Sequence, residues 1–318
     1  MEAIFLHDHP EFPDLIRIVA DKEIVDPFLI EKDYWIMHTL WGLQNQSFSF
    51  ALKGGTSLSK GYGIINRFSE DLDILIEPPG RVGFDVNQTS EKPNAVQSRR
   101  DFYEWLAKEI AIPGIVKVER DHEFDDPTYY RGAGIRLFYT SNTSALEGVK
   151  DGILLEVGFS KVAPNEPRDI DSWTYNFATA NSDIPLLDNR APGVVCYHPG
   201  YTFVEKLQTI IRHYRQEAAD GTKRKNYMRQ YYDVASLLDT KIVQDFIDHP
   251  DYAAHKANWI RGKDAEIPIS EHPAFLLTDA ALVADFTERY RKTAALYYRG
   301  QPSFAGLITT IQNHLHRL

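Results

Sequence analysis

Residues 51–77, ALKGGTSLSKGYGIINRFSEDLDILIE, constrain the fold of this chain more than any other part of the sequence. Apolar residues alternate with small or polar ones over residues 48–52, which is typical of a half-buried strand. Gly54 and Gly55 interrupt this pattern, and adjacent glycines allow positive φ angles and a close approach of a ligand to the backbone. The segment therefore predicts a strand, a glycine turn, a short helix, a loop and a second strand.

The second of these strands, residues 71–76, carries two carboxylates. Side chains alternate between the two faces of a strand, so Asp71 and Asp73 share one face, with their Cα atoms about 6.5 Å apart. Two like charges this close repel each other unless a cation neutralises them, and hard carboxylate oxygens suit Mg²⁺ or Mn²⁺. The alternative is a solvent-exposed strand edge with two ordinary surface aspartates.

The glycine turn narrows this choice because it lies shortly before the two aspartates in the sequence. Backbone N–H groups at such a turn hold phosphate, and a divalent cation between carboxylates binds phosphate too, so both features point to a phosphate chain as ligand. We expect Thr56 or Ser57 to cap the short helix after the glycines. The turn is not a P-loop, because Lys60 is followed by glycine rather than by serine or threonine.

The composition is typical of a soluble globular protein, with 318 residues, of which 43% are hydrophobic and 25% charged. The single cysteine, Cys196, excludes an intrachain disulfide and is consistent with a reducing cytoplasm. No apolar run is long enough for a membrane span, and the acidic N-terminus is unlike a signal peptide, so we expect a cytoplasmic protein without a membrane partner. The net charge of -10 disfavours a generic nucleic-acid coat.

The rest of the chain divides into two predicted domains, an α/β core at 1–195 with helices at its start and a helical domain at 196–318. Helices are predicted within residues 1–47 and 242–318 and at 98–110, 201–216 and 228–238. Strands are predicted at 115–119, 134–139, 152–159 and 173–177. Within the third of these, Glu156 interrupts an apolar run, so it either faces solvent by alternation or has a cation beside it.

A basic segment, residues 206–229, stands out in this acidic chain. It holds seven lysines and arginines and only two acidic residues, Glu217 and Asp220. Such a segment is either a solvated helix face with its loop or a cradle for a triphosphate and a polyanionic acceptor.

Several motifs together resemble a known family. Gly-Gly-Thr-Ser-Leu-Ser-Lys at 54–60 and Arg-Phe-Ser-Glu-Asp-Leu-Asp at 67–73 are similar to motifs of the AbiEii/AbiGii-type toxins, which belong to the polymerase-β-like nucleotidyltransferase superfamily. The resemblance implies a mixed α/β (α+β) nucleotidyltransferase core with a mixed sheet, followed by a helical C-terminal region. Glu31-Lys32-Asp33-Tyr34 also resembles the family's N-terminal helix, and we interpret it as a solvated helix face.

The resemblance continues in the basic segment. Glu205-Lys206-Leu207 and Arg229-Gln230-Tyr231-Tyr232-Asp233 are similar to later motifs of the family, a lysine on one helix and Arg-x-x-x-Asp on the next. By resemblance, Lys206 contacts the phosphates of an NTP, and Asp233 positions the acceptor or acts as its base. The alternative for Arg229 and Asp233 is an ordinary surface pair, because residues four apart share one helical face.

The resemblance also implies a reaction, the two-metal transfer of a nucleotide from an NTP to an acceptor. Together with the strand, turn and charge patterns described above, it leads to the following residue assignments. The predicted catalytic residues are Asp71, Asp73, Lys206 and Asp233. The predicted ligands of Mg²⁺ or Mn²⁺ are Asp71, Asp73 and, as a third carboxylate on a neighbouring strand, Glu156. The predicted nucleotide-binding residues are Gly54, Gly55, Thr56, Ser57, Lys60, Arg67 and Lys206. The predicted acceptor-binding residues are Lys223, Arg224, Lys225 and Arg229.

The implied biological role is that of the toxin in a toxin–antitoxin pair, with RNA, in particular a tRNA 3′ end, as acceptor and a cognate antitoxin as partner. Two alternatives remain at this point. The acceptor is a protein or small molecule, or the chain binds NTP without catalysis and serves interaction only.

Overall fold

The computed structural model describes residues 2–318, apart from the side chain of Arg81, and shows two compact units. The first comprises residues 2–62 and Phe68–Tyr197. The second comprises Gly63–Arg67 and His198–Leu318. The chain therefore leaves the first unit after the glycine turn and returns to it just before the acidic strand. The division into folding domains at 1–195 and 196–318 stays a prediction.

The first unit contains a sheet. In the described part of the chain its strands are β1 (Phe50–Lys53), β2 (Asp71–Ile76), β3 (Ile115–Asp121), β4 (Gly132–Tyr139), β5 (Ile153–Gly158), β6 (Asn165–Ile170) and β7 (Ala191–Tyr197). The strand order is β3-β4-β5-β2-β1-β7-β6. β2 pairs with β5 and β1 with β7 in parallel, and the other pairs are antiparallel. Leu72, Ile74 and Ile76 are fully buried, as the alternation in β2 predicts.

Helices of the first unit are α1 (Phe12–Glu23), α2 (Pro27–Asn45), α3 (Gly54–Thr56), α4 (Pro93–Glu109) and α5 (Trp173–Asn181). α3 continues as a π-helical turn, Ser57–Gly61. At the start of α2, Asp26 accepts a hydrogen bond from the Phe28 N–H at 2.9 Å and Pro27 occupies the first turn, both standard signals of a helix start. Because α2 is buried on nearly all sides, it forms the central helix of this unit's core.

The strand predicted at 173–177 is wrong, because this segment is the beginning of α5. The physical reason is the residue before it: the Ser172 hydroxyl accepts a hydrogen bond from the Tyr175 N–H at 3.2 Å and caps the helix. β6 and β7 are absent from the prediction. β6 is a polar edge strand containing Pro167, and β7 contains both proline and glycine, so neither shows a strand pattern in the sequence.

The second unit is helical. Its helices are α6 (Pro199–Asp220), α7 (Tyr227–Leu238), α8 (Lys241–Ile247), α9 (Pro250–Trp259), α10 (Pro273–Leu276), α11 (Ala280–Arg291) and α12 (Phe304–His314). Its core is rich in aromatic side chains: Tyr231 of α7 lies against Phe286 of α11 and Phe304 of α12, with ring centroids 6.0 and 5.4 Å away. Short 3₁₀ turns over the whole described chain are Leu6–Asp8, Gly80–Val82, His122–Phe124, Gly262–Ala265, Ile269–Glu271, Ala294–Leu296 and Leu315–Arg317.

The predicted fold class, a mixed α/β core with a mixed sheet and a helical C-terminal region, is confirmed. Over the part of the chain that the structure describes, no helix combines the length and the apolar character needed to cross a lipid bilayer.

Candidate functional site

Three adjacent strands of the first unit place charged side chains in one row. Asp73 on β2 is in register with Lys53 on β1 and with Glu156 on β5. Residues in register on adjacent strands point to the same face of a sheet, and Asp71 shares that face because it lies two residues before Asp73. The structure therefore brings Asp71, Asp73 and Glu156, the three predicted metal ligands, to one face of the sheet.

The pKa of Glu156 reflects both its burial and the charges of its neighbours on this face. The pKa of Glu156 is raised to about 8, first by burial and then by the charges of Asp73 and Asp71, against smaller opposite effects of Lys53 and Arg136. Among residues 2–318, no three His, Cys, Asp or Glu side chains already stand together as a closed metal-binding group. The three carboxylates thus share a face with excess negative charge without forming a finished ligand set.

The glycine turn lies directly against these carboxylates. Gly54 has a φ of +69°, and a Cβ atom placed on it would stand 1.9 Å from the Asp73 Oδ2 atom. Behind it, the Thr56 hydroxyl donates a hydrogen bond to the Asp71 carbonyl oxygen at 2.7 Å. The predicted phosphate-binding turn and the acidic strand therefore meet in space as well as in sequence.

The helix after the turn begins earlier than the sequence predicted. It begins at Gly54 and has no side-chain cap, so the prediction that Thr56 or Ser57 caps it is wrong. Both residues lie inside the helical segment, and Ser57 is fully buried beside the Cys196 thiol. Gly55 is also buried, so contacts of this segment with a ligand fall mainly to the backbone at its start.

Lys60, predicted to bind nucleotide, is engaged within the protein. Its Nζ atom lies 2.7 Å from the Asp33 Oδ1 atom of α2, and its side chain is 15% exposed. The interpretation of residues 31–34 as a solvated helix face is wrong, since all four are buried. Residues 31–34 of α2 are enclosed by protein, and the groups that pair with their charged side chains come from distant parts of the sequence.

In the second unit a buried ion cluster joins three residues that the sequence predicted for the site. Arg67 donates to both carboxylate oxygens of Asp233, each at 2.6 Å. The Lys206 Nζ atom lies 2.6 Å from the Asp233 Oδ2 atom and also donates to Gln230 at 3.2 Å. Asp233 is fully buried, and Arg67 and Lys206 are nearly so.

The electrostatics of this cluster favour an ionised Asp233. Burial by itself raises the pKa of Asp233, but the charges and hydrogen bonds of Arg67 and Lys206 outweigh it and hold that pKa below its usual value. A buried carboxylate that already accepts bonds from two cations is a poor proton acceptor. The arrangement therefore suits a role in which Asp233 holds Arg67 and Lys206 in place.

Arg67 comes from the segment between the glycine turn and β2. No short sequence pattern predicts that it pairs with α7.

Three of the four predicted acceptor-binding residues are less available than the sequence suggests, whereas Lys225 is exposed. Lys223 pairs with Asp285 of α11, and Arg224 pairs with Asp220. Arg229 is 8% exposed and donates to Asn226. The same holds elsewhere in the basic segment, where Arg215 pairs with Asp264 at 2.7 Å. Acidic residues from later in the chain thus offset much of the charge that the segment shows on its own.

Comparisons with known proteins identify the family of this chain. Residues 39–311 match the sequence model of a family described as nucleotidyl transferase AbiEii toxin, type IV toxin–antitoxin system. A search of curated proteins found no match. One solved structure that is similar is an antigenic nucleotidyltransferase-like protein from Paracoccidioides brasiliensis, at 14% identity and a TM-score of 0.32, with 71% of this chain and 92% of that chain covered.

Proposed function

The chain belongs to the AbiEii family of nucleotidyltransferase toxins, and from this we propose that it transfers a nucleoside monophosphate from an NTP to an acceptor on the acidic face of β2 and β5. The observation that carries the proposal is the row of Asp73 and Glu156 beside Asp71, with Gly54 packed against Asp73. Carboxylates and a backbone turn that stand this close suit the binding of one triphosphate through its oxygens.

In this proposal the start of the helical segment Gly54–Gly61 binds phosphate oxygens through backbone N–H groups. Because Gly54 has no side chain, the turn can lie directly against the Asp73 carboxylate, and the bond from Thr56 to Asp71 fixes the turn relative to β2. The attacking acceptor oxygen forms a bond to the α-phosphorus, the bond to the bridging oxygen breaks, and pyrophosphate leaves. The proton of the acceptor hydroxyl passes to a nearby base or to water.

The carboxylates of this face fit a divalent cation. The pKa of Glu156 is raised by its burial and by the charges of Asp73 and Asp71, and hard oxygen donors with surplus negative charge are the donor set that Mg²⁺ or Mn²⁺ takes. Asp71, Asp73 and Glu156 would hold it. When bound, such an ion neutralises the charge that develops on the phosphates and lowers the pKa of a coordinated hydroxyl.

For the second unit we propose that Lys206 acts on the phosphates, as the family resemblance implies, and that Asp233 positions Lys206 and Arg67. This replaces the predicted role of Asp233, which is to position the acceptor or to act as its base. It is supported by the complete burial of Asp233 and its bonds to two cations at 2.6 Å. In the same proposal Arg67 does not bind the nucleotide directly, as the sequence predicted, but supports the cluster through its pair with Asp233.

The family also suggests a toxin whose partner is an antitoxin, and we propose RNA, in particular a tRNA 3′ end, as the acceptor. Support for RNA comes from the resemblance. The basic segment supports it only weakly, because Lys223 and Arg224 already pair with acidic residues.

The test is incubation of the purified protein with each α-³²P-labelled NTP, Mg²⁺ or Mn²⁺, and total RNA or total protein in separate reactions. We expect label in RNA, and none with Asp71→Asn or Asp73→Asn, both of which should remain folded. Label in protein alone would contradict the RNA acceptor, and label from either mutant at the wild-type rate would contradict the assignment of the acidic face.

A further inference from the structure

Helix α2 carries a run of polar side chains that the proposed reaction does not use. Glu31, Lys32, Asp33 and Tyr34 are each at most 1% exposed. Burying charged groups is unfavourable unless each finds a partner, so the partners show what the run does. Lys32 donates to the Lys150 carbonyl oxygen at 2.6 Å, and Tyr34 shares a hydrogen bond with His7 at 2.8 Å.

Glu31 and Asp33 hold different parts of the first unit. Glu31 accepts hydrogen bonds from Ser141, Asn142 and Thr143, at distances of 2.8 to 3.1 Å, and so fixes the loop that follows β4. Asp33 instead binds the glycine-turn segment: one oxygen lies 2.7 Å from the Lys60 Nζ atom.

The other Asp33 oxygen accepts a hydrogen bond from the Trp173 N–H at 2.9 Å. The Lys60 Nζ atom also lies 5.3 Å from the centre of the Trp173 ring, within the range of a cation–π contact. Lys60 is thus held from two sides, by a buried carboxylate and by an aromatic ring. A lysine held in this way has little freedom to reach a ligand.

Lys60 stands one residue before the end of the helical segment that begins at Gly54. The beginning of that segment lies against Asp73, and its end is fixed to α2 through Asp33. A displacement of the end would tilt the whole segment, because a helical turn moves as one body, and would change the position of the backbone N–H groups at its start.

We propose that Asp33 is a positioning residue for nucleotide binding, which acts through Lys60 to hold the segment Gly54–Gly61 against the acidic face. The inference rests on the proposed function, because it assumes that this segment binds the phosphates of an NTP. It assigns Lys60 a tethering role in place of direct phosphate contact.

The test compares Asp33→Asn, Lys60→Met, the double variant and Lys60→Arg with the wild type. The matched control is Glu31→Gln, which disturbs an equally buried carboxylate of the same helix, one that bonds to the loop after β4. Three quantities are measured: the Kd of a non-hydrolysable NTP analogue with Mg²⁺, KM and kcat in the labelling assay, and amide hydrogen exchange of residues 54–61.

We expect Asp33→Asn and Lys60→Met each to raise the Kd and KM about tenfold with a much smaller change in kcat, and the double variant to resemble either one, because coupled residues are not additive. Amide exchange at 54–61 should rise in all three of these variants. Lys60→Arg should stay near the wild type, and Glu31→Gln should lower the melting temperature without changing the Kd.

Two results would overturn the proposal. If Lys60→Met weakens binding while Asp33→Asn leaves the Kd unchanged or lowers it, Lys60 contacts the phosphates itself. If Glu31→Gln raises the Kd as much as Asp33→Asn, the effect is a general loss of stability. A wild type that binds no NTP analogue contradicts the proposed function instead, and the amide exchange then still decides whether Asp33 and Lys60 fix the segment.

Discussion

At the scale of single residues, Gly54 meets two separate demands. Its φ of +69° lies in the left-handed region, where a side chain is unfavourable by about 1–2 kcal/mol, and a Cβ would also collide with Asp73. Gly63 has a similar φ of +63° but open space around it. The two glycines therefore separate the effect of backbone strain from the effect of the contact.

We predict that Gly54→Ala loses nucleotidyl transfer and several degrees of melting temperature, because the new methyl group displaces the Asp73 carboxylate. Gly63→Ala should show only the smaller loss of stability that comes from backbone strain and should keep its transfer rate. Thermal unfolding and the labelling assay measure both effects. Equal activity in the two variants would show that the close approach of Gly54 to Asp73 does not matter for the reaction.

Asp233 gives a second prediction at this scale. Asp233→Asn leaves the buried Arg67 and Lys206 without their counter-ion, and breaking one side of such a cluster costs about 3–5 kcal/mol. Lys206→Met leaves the bidentate pair of Arg67 and Asp233 intact, so it should lower the free energy of unfolding less while weakening NTP use. Denaturant unfolding measures the free energy of unfolding of both variants and of the wild type. An Asp233→Asn variant that is inactive yet as stable as the wild type would point to direct participation in the chemistry.

The sequence predicts those site residues whose arrangement follows from local periodicity. Alternation in β2 places Asp71 and Asp73 on one face, and the apolar run around Glu156 predicts its strand. The pairs formed by Asp33 with Lys60 and by Arg67 with Asp233 span 27 and 166 residues. No local pattern encodes such a distance, so these pairs become visible only in the folded chain.

At the scale of elements, strands with alternating or apolar patterns are predicted correctly and polar edge strands are not. β2 and β5 follow from their side-chain patterns, whereas β6 is polar and β7 is interrupted by Pro192 and Gly193. In α5 a strand is predicted where the structure has a helix. The aromatic residues of this segment favour a strand, but the Ser172 cap stabilises the helix.

The pairing of β2 with β5 leads to a pH prediction. The pKa of Glu156 is raised from 4.5 to about 8 in the folded protein, so between these values the folded state keeps a proton that the unfolded state loses. This group's contribution to stability is therefore fully present below pH 4.5 and is lost as the pH rises through about 8.

We expect Glu156→Gln to raise the melting temperature of the metal-free protein at about pH 8 to 9 and to change it little near pH 4.5. Mg²⁺ or Mn²⁺ should raise the melting temperature of the wild type at pH 8 more than that of Glu156→Gln. The exposed Glu147→Gln variant is the control and should show neither effect. Parallel stability curves for the wild type and Glu156→Gln would contradict the raised pKa of Glu156.

At the scale of the whole molecule, charge is arranged differently from its distribution along the sequence. The basic segment stands out against a net charge of -10, yet Asp264 and Asp285 from later in the chain neutralise part of it. A count over consecutive residues cannot include such partners. The segment can still contact a polyanion through the exposed Lys225 and through Lys223 and Arg224, whose ion pairs are half-exposed.

The last prediction concerns this surface and rests on RNA as the acceptor. Replacing Lys223, Arg224 and Lys225 by alanine should weaken RNA binding and reduce its salt dependence, by a slope of roughly 0.7 for each phosphate that is no longer neutralised. Because two of the three cations already have acidic partners, we expect the slope to fall by less than the value for three phosphates.

The matched control replaces Lys241, Arg291 and Lys292, exposed cations of the same unit, which changes the net charge equally. Filter binding of tRNA from low to high salt measures both. If the two triple variants weaken RNA binding equally at every salt concentration, RNA responds to the net charge of the protein and the segment does not bind the acceptor.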